Sequence, residues 1–214
     1  MDRSQIKIHN ADCMEAMRQM SDNEFDLAIV DPPYGIGAGK MQLGFGKSKS
    51  ATKNRNWKPK DWDNYPPSQE YFDHLFRISK NQIVFGANYL CNYLPSGKGW
   101  IFWNKLNGIG TSFSDGEFVY SSKGVQSRYY ECYSLSDSKN RIHPTQKPVQ
   151  LYKWLLTNYA KEGDKILDTH LGSGSIAIAC HDLKFDLTCY EIDKEYYDNA
   201  VERLERHKRQ MHLF

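Results

Sequence analysis

At 214 residues the chain is long enough for one sizeable domain and hardly for two. Hydrophobic residues at 40% and charged residues at 25% describe a globular protein. No run approaches the roughly 18 apolar residues of a membrane span, and MDRSQIKIHN has no apolar leader, so the expectation excludes the membrane and secretion. The net charge of +2 conceals an uneven distribution: Lys40, Lys47, Lys49, Lys53, Arg55, Lys58 and Lys60 form an acid-free basic block, and the rest of the chain is net acidic.

In chain order, Ile6 and Ile8 alternate in a short strand over residues 5–9. Asp12 then caps a helix over 13–20 that turns Met14, Met17 and Cys13 inward. The apolar run FDLAIV, residues 25–30, predicts a strand covered on both faces, and it stops at Asp31-Pro32-Pro33-Tyr34. Residues 35–66 have no apolar period and predict a long functional loop, its basic part spanning 36–64. A helix over 68–79 carries Tyr71, Phe72, Leu75 and Phe76, followed by the strand QIVFGA and a short helix over 89–94. GWIFWNK and EFVYS predict two further strands. Residues 106–116 and 122–142 read as polar connectors, with 106–142 a small target-recognition region. Pro148 starts a helix with Tyr152, Leu155, Leu156 and Tyr159 on one face. Then come a strand at 165–168, a helix at 175–183, a strand at 187–191 and a final helix with Tyr197, Ala200, Val201 and Leu204 inward. Such alternation predicts a single α/β domain with a mostly parallel sheet, whose ligands sit beyond the carboxyl ends of the strands.

The five cysteines are scattered, with no C-x-x-C and no Cys/His cluster at zinc spacing, so they read as reduced and mostly buried thiols, and no metal site is expected. The many aromatics, 14 Tyr, 10 Phe and 5 Trp, supply core and more than enough rings to stack on bases.

Two prolines directly after a buried strand make a stiff turn whose carbonyls regular structure cannot all consume. With Asp31 before them and Tyr34 after, the turn offers acceptors and a stacking ring on a rigid frame. An aromatic amine is a poor nucleophile because its lone pair is delocalised. The Asp31 carboxylate and the Pro32 carbonyl, accepting its two N–H bonds, would free that pair for attack on a sulfonium methyl, with Tyr34 stacked on the base. The second signal is LDTHLGSGS, a strand joined to a helix through Gly172 and Gly174, with Glu191 ending the next strand. Glycines admit a ligand close to the backbone and an acid at that place accepts from ribose hydroxyls. A nicotinamide-dependent oxidoreductase is the rival reading. Asp168 argues against it, since a carboxylate there suits an ammonium group and repels a pyrophosphate. A non-catalytic nucleic-acid-binding module is the other alternative.

NADCMEAM, DPPY at 31–34, HPTQKP at 143–148, and DTHLGSGS at 168–175 followed by YEID at 190–193 occur together in one order. In that combination the chain resembles the permuted, beta-group DNA amino-methyltransferases, which modify adenine N6 or cytosine N4. The resemblance implies a three-layer α/β sandwich around a seven-stranded sheet, the Rossmann-like fold of S-adenosylmethionine-dependent methyltransferases, circularly permuted. It implies catalysis by Asp31, Pro32, Pro33 and Tyr34. For S-adenosyl-L-methionine it implies Asp12 and Cys13 near the adenine ring, His143, Thr145, Gln146 and Lys147 over the methionine end, and Asp31 beside the methyl. Asp168, His170, Gly172, Ser173, Gly174, Ser175, Glu191 and Ile192 would form the rest of the pocket, although His170 departs from the aromatic common there. Asp31 favours adenine over cytosine N4; RNA and protein amide methylation pose the same chemical problem. Double-stranded DNA is the implied partner, gripped by Lys47, Lys49, Lys53 and Arg55, with Asn88 of GANYL in the base pocket. A homodimer, a cognate restriction endonuclease and a cytoplasmic location in a prokaryotic or phage-infected cell complete the expectation.

Overall fold

The computed structural model describes residues 4–40, 58–96, 99–107, 114–124, 126–134 and 141–211. Its elements are β1 (Ile6–His9), α1 (Cys13–Met17), β2 (Leu27–Val30), a 3-10 turn (Ala38–Lys40), α2 (Gln69–Ile78), β3 (Gln82–Phe85), β4 (Gly99–Asn104), β5 (Gly116–Ser121), β6 (Arg128–Glu131), α3 (Val149–Tyr159), β7 (Lys165–Asp168), α4 (Ser175–Leu183), β8 (Asp186–Tyr190) and α5 (Lys194–Met211).

One sheet runs in the order β1-β8-β7-β2-β3-β5-β4-β6. β5 runs antiparallel to its neighbours β3 and β4, and the other pairings are parallel. Helices cover both faces, because successive strand residues point to opposite sides. Leu27 and Ile29 face α3 and α4, packing with Leu151, Leu155, Leu156 and Ile176. Ala28 and Val30 face α1 and α2, packing with Met17, Phe72, Leu75 and Ile78. That two-sided burial is why β2 and β3 read as unbroken apolar runs rather than alternating ones.

Among the described residues the sheet has eight strands where seven were expected. The additional one is β6, inside the stretch read as a polar connector. Among the described residues it is an edge strand paired with β4, Ile101 opposite Arg128 through Asn104 opposite Glu131; only Tyr130 of its four residues turns inward, stacking on Trp154, so it leaves no apolar period to read. Three further readings are corrected. Residues 89–94 form successive turns with i to i+3 bonds (Tyr89 N to Gly86 O, Tyr93 N to Leu90 O) instead of a helix. Helix α1 stops at Met17, not Met20, where the Arg77 guanidinium takes the carbonyls of Met17 and Met20 at 2.8 and 2.7 Å. In α5 it is Tyr196 that is buried while Tyr197 is half-exposed, because Tyr196 packs edge-on against His143 and under the Lys60 ammonium.

The crossovers decide the site. The C-terminal strands β7 and β8 lie between β1 and β2, with Ala28 opposite Leu167 and His9 opposite Tyr190. The turns that follow β2, β7 and β8 therefore emerge side by side at one edge of the sheet.

Candidate active site

At the end of β2 the Pro32-Pro33 pair fixes the direction of Asp31 and Tyr34. The turn beyond is organised by the buried Asp63, whose carboxylate accepts the backbone N–H groups of Tyr34 (2.6 Å), Gly35 (3.0 Å) and Ala38 (2.7 Å). The Tyr34 ring stacks on Tyr89, centroids 5.3 Å apart and 15° from parallel. Its edge fills the space beside Gly86: a Cβ there would lie 2.2 Å from the ring, and Gly86 has φ +65°, so both sterics and backbone demand glycine.

The Tyr34 hydroxyl donates to Asp31 and lies 2.7 Å from Glu117 Oε1. The Lys147 ammonium reaches Asp31 Oδ2 at 2.5 Å, the Tyr34 hydroxyl oxygen at 3.2 Å and Glu117 Oε1 at 3.3 Å. Lys105 of the β4–β5 connection holds the other Glu117 oxygen at 2.8 Å. Burial opposes the charged form of each group. For Lys147 the two carboxylates outweigh it and its pKa rises; for Glu117 the two lysines outweigh it and its pKa falls to about 2. Asp31 moves the other way: burial, aided by the Glu117 charge, raises its pKa against the pull of Lys147.

A cleft of about 860 Å³ joins this cluster to the glycine turn. Asp31, Pro32, Pro33, Tyr34 and Asn88 line one end; His170, Gly172, Ser173, Glu191 and Ile192 line the other; and His143, Thr145, Gln146 and Lys147 form the wall between them. Gly172 and Gly174 take left-handed φ of 54° and 72°. The Glu191 carboxylate accepts from Gly172 N at 2.8 Å and Asp193 N at 2.9 Å. Ser175 braces the wall by donating to the Lys147 carbonyl at 2.7 Å, and Arg203 holds Ser175 and the Ser173 carbonyl.

Five expected cofactor contacts do not line the cleft: Asp12, Cys13, Asp168, Gly174 and Ser175. Asp12 caps α1, its Oδ1 accepting from Met14 N, and the following Cys13 is buried, its thiol pushed up to about 12 chiefly by burial. Asp168 sits behind the turn, accepting from His170 N at 3.0 Å, and burial raises its carboxyl to about 8. Lys47, Lys49, Lys53 and Arg55 lie outside the described residues. The returning end of the basic stretch is anchored by Lys60, paired with Asp193 at 2.7 Å and Glu195 at 3.0 Å.

His143 Nδ1 accepts from Thr145 N at 3.3 Å, and the ring packs on Tyr196. Burial, aided by Arg141, Lys147 and Lys60, lowers its pKa from 6.5 to about 3. Unfolded His143 takes up a proton below its ordinary value and folded His143 does not. Its contribution is therefore intact above pH 6.5 and is lost as pH falls towards 3. His143→Gln is expected to flatten the pH dependence of urea-unfolding free energy in that window, by up to about 1.4 kcal/mol per pH unit. An unchanged slope would contradict a neutral buried imidazole.

Residues 100–202 match the family model N6_N4_Mtase, described as DNA methylase. That match covers 103 of the 214 residues, and together with the likenesses that follow it supports an N6/N4 DNA amino-methyltransferase. The chain is 22% identical over 238 residues to the type II methyltransferase M.HpaI of Haemophilus parainfluenzae, covering 91% of this chain and 73% of that enzyme. Its fold matches the crystal structure of the M1.HpyAVI–SAM complex with TM-score 0.62 and 21% identity, over 94% of this chain and 99% of the other. It also matches the PvuII DNA methyltransferase, described as cytosine-N4-specific, with TM-score 0.62 and 12% identity over 96% and 91% of the two chains. These likenesses establish the Rossmann-like methyltransferase fold. Among the described residues no helix is long and apolar enough to cross a membrane.

Sequence reasoning missed Glu117, Lys105 and Asp63, and gave Lys147 only to the methionine end. Glu117 looked like an ordinary polar strand residue. Asp63 carried a faint signal, as one of the first acids after the basic block.

Proposed function

We propose that this methylase transfers the methyl group of S-adenosyl-L-methionine to the exocyclic N6 of an adenine turned out of double-stranded DNA. The observation that carries the reading is the single cleft shared by the Asp31–Tyr34 turn and the glycine turn with Glu191. The cleft fits the donor. Gln146, which lines the cleft, accepts through Oε1 from Ile142 N at 3.0 Å, while its buried Nε2 has no partner among the described residues and is left as a donor for a polar group of the cofactor. S-adenosylmethionine supplies an electrophilic methyl when bound.

The chain's own residues do the rest. Glu191 accepts from the ribose hydroxyls, and His143, Thr145 and Gln146 enclose the methionine end. Asp31 and the Pro32 carbonyl accept the two amine N–H bonds, and Tyr34, backed by Tyr89, stacks on the base. The basic block meets phosphates, and residues 106–142 read the flanking sequence. Adenine is preferred because Asp31 occupies the first position of DPPY. Cytosine N4 is the second reading, favoured by the likeness to the PvuII enzyme.

Incubation with tritiated S-adenosylmethionine and unmethylated genomic DNA, followed by nucleoside analysis, tests both. Label in N6-methyladenine is expected. Label in N4-methylcytosine would overturn the adenine assignment, and no label in DNA would overturn the function.

A further inference from the structure

Both oxygens of Asp31 are already engaged, one by the Tyr34 hydroxyl and the other by the Lys147 ammonium. A target amine that binds Asp31 competes with these two donors for the carboxylate's lone pairs. A displaced ammonium or phenol with no acceptor would carry a desolvation penalty that opposes base binding. Glu117 removes that obstacle by its position. Its Oε1 lies 2.7 Å from the Tyr34 hydroxyl and 3.3 Å from Lys147 Nζ, so a movement of a fraction of an ångström moves both donors from Asp31 to Glu117. Lys105, 2.8 Å from Oε2, keeps Glu117 charged and fixed while this happens.

We infer that Glu117 is a positioning residue, the acceptor that takes over the Tyr34 hydroxyl and the Lys147 ammonium as the target amine engages Asp31. The inference rests on the proposed methyl transfer. No covalent bond changes in the exchange: each donor keeps its proton and changes partner.

The test compares wild type with Glu117→Gln and Glu117→Asp, using tritiated S-adenosylmethionine and unmethylated genomic DNA. Glu117→Gln is expected to lower kcat by about 10–100-fold while S-adenosylmethionine binding by calorimetry stays within about twofold. Glu117→Asp, which keeps the charge, is expected to recover most of the loss. A brace with only a structural role would not restore kcat through charge alone. A second arm needs no turnover: a carbon-13 NMR titration of Asp31 in the free protein. Asp31 faces Lys147, Tyr34, Glu117 and, behind it, Asp168. Removing the Glu117 charge relieves a repulsion and leaves Lys147 to Asp31, so Asp31 is expected to titrate lower in Glu117→Gln. Wild-type kcat in Glu117→Gln, or an Asp31 titration that does not move, overturns the inference. If wild type itself transfers no methyl, the proposed function fails, and an unmoved Asp31 titration would separately sink the coupling to Glu117.

Discussion

Asp31→Ala is expected to lower kcat for DNA methylation by about 10³–10⁴-fold, near the upper end of what one positioned acid–base or electrostatic group contributes. Asp31→Asn is expected to lose about 10²-fold, since an amide oxygen still accepts one N–H bond but offers no charge. The difference follows from the chemistry asked of the carboxylate. It must draw on an amine whose lone pair is delocalised, and it must tolerate the positive charge that develops on nitrogen. S-adenosylmethionine affinity, measured by calorimetry, should barely change, because the glycine turn and Glu191 form the far end of the cleft. An Asp31→Ala enzyme retaining a tenth of wild-type kcat would remove Asp31 from the chemistry. Thermal unfolding of the same variants separates lost catalysis from lost fold.

Lys147→Met is expected to cost about 3–5 kcal/mol of stability at pH 7, the range for removing one member of a buried ion pair. Methionine preserves most of the aliphatic stem, so the loss reports charge more than volume. The Lys147 side chain is 5% exposed and faces Glu117 at 7% and Asp31 at 19%. Without it, Asp31 keeps the Tyr34 hydroxyl as its one side-chain donor among the described residues, while Glu117 retains Lys105, which holds the loss towards the lower figure. The pH dependence has a definite sign. Glu117 titrates at about 2 in the folded protein against an ordinary 4.5, so its paired charge stabilises fully above pH 4.5 and is lost as pH falls towards 2. The gap between wild type and Lys147→Met should therefore be full at pH 7 and narrow below pH 4.5. Urea unfolding at pH 7 and pH 3 measures it, and equal stability at pH 7 would show that the cluster is not coupled as its distances imply.

Much of the architecture was written locally. The apolar runs of β2 and β3 announce strands buried on both faces, and Asp12, Pro148 and Gly174 mark helix starts. The DPPY turn and the glycine turn were legible because their chemistry lies within four to eight consecutive residues. β6 was not, since an edge strand with a single inward residue, Tyr130, has no period to detect. Nor was the choice between Tyr196 and Tyr197, which adjoin on α5 and are separated only by contact with His143 and Lys60.

The sequence by itself determined which residues make stiff turns, which faces seek burial and which family's motifs the chain carries. Only the tertiary structure decided that Lys147 lies against Asp31, that Glu117 and Lys105 complete a four-charge cluster with Lys147 and Glu117 buried at its centre, and that Asp63 shapes the turn after Tyr34. Local propensity depends on neighbours within a few residues. These pairings instead depend on strand order, which places β7 beside β2 and brings β5 to the wall of the same cleft. A charge in sequence has no partner until that order is set.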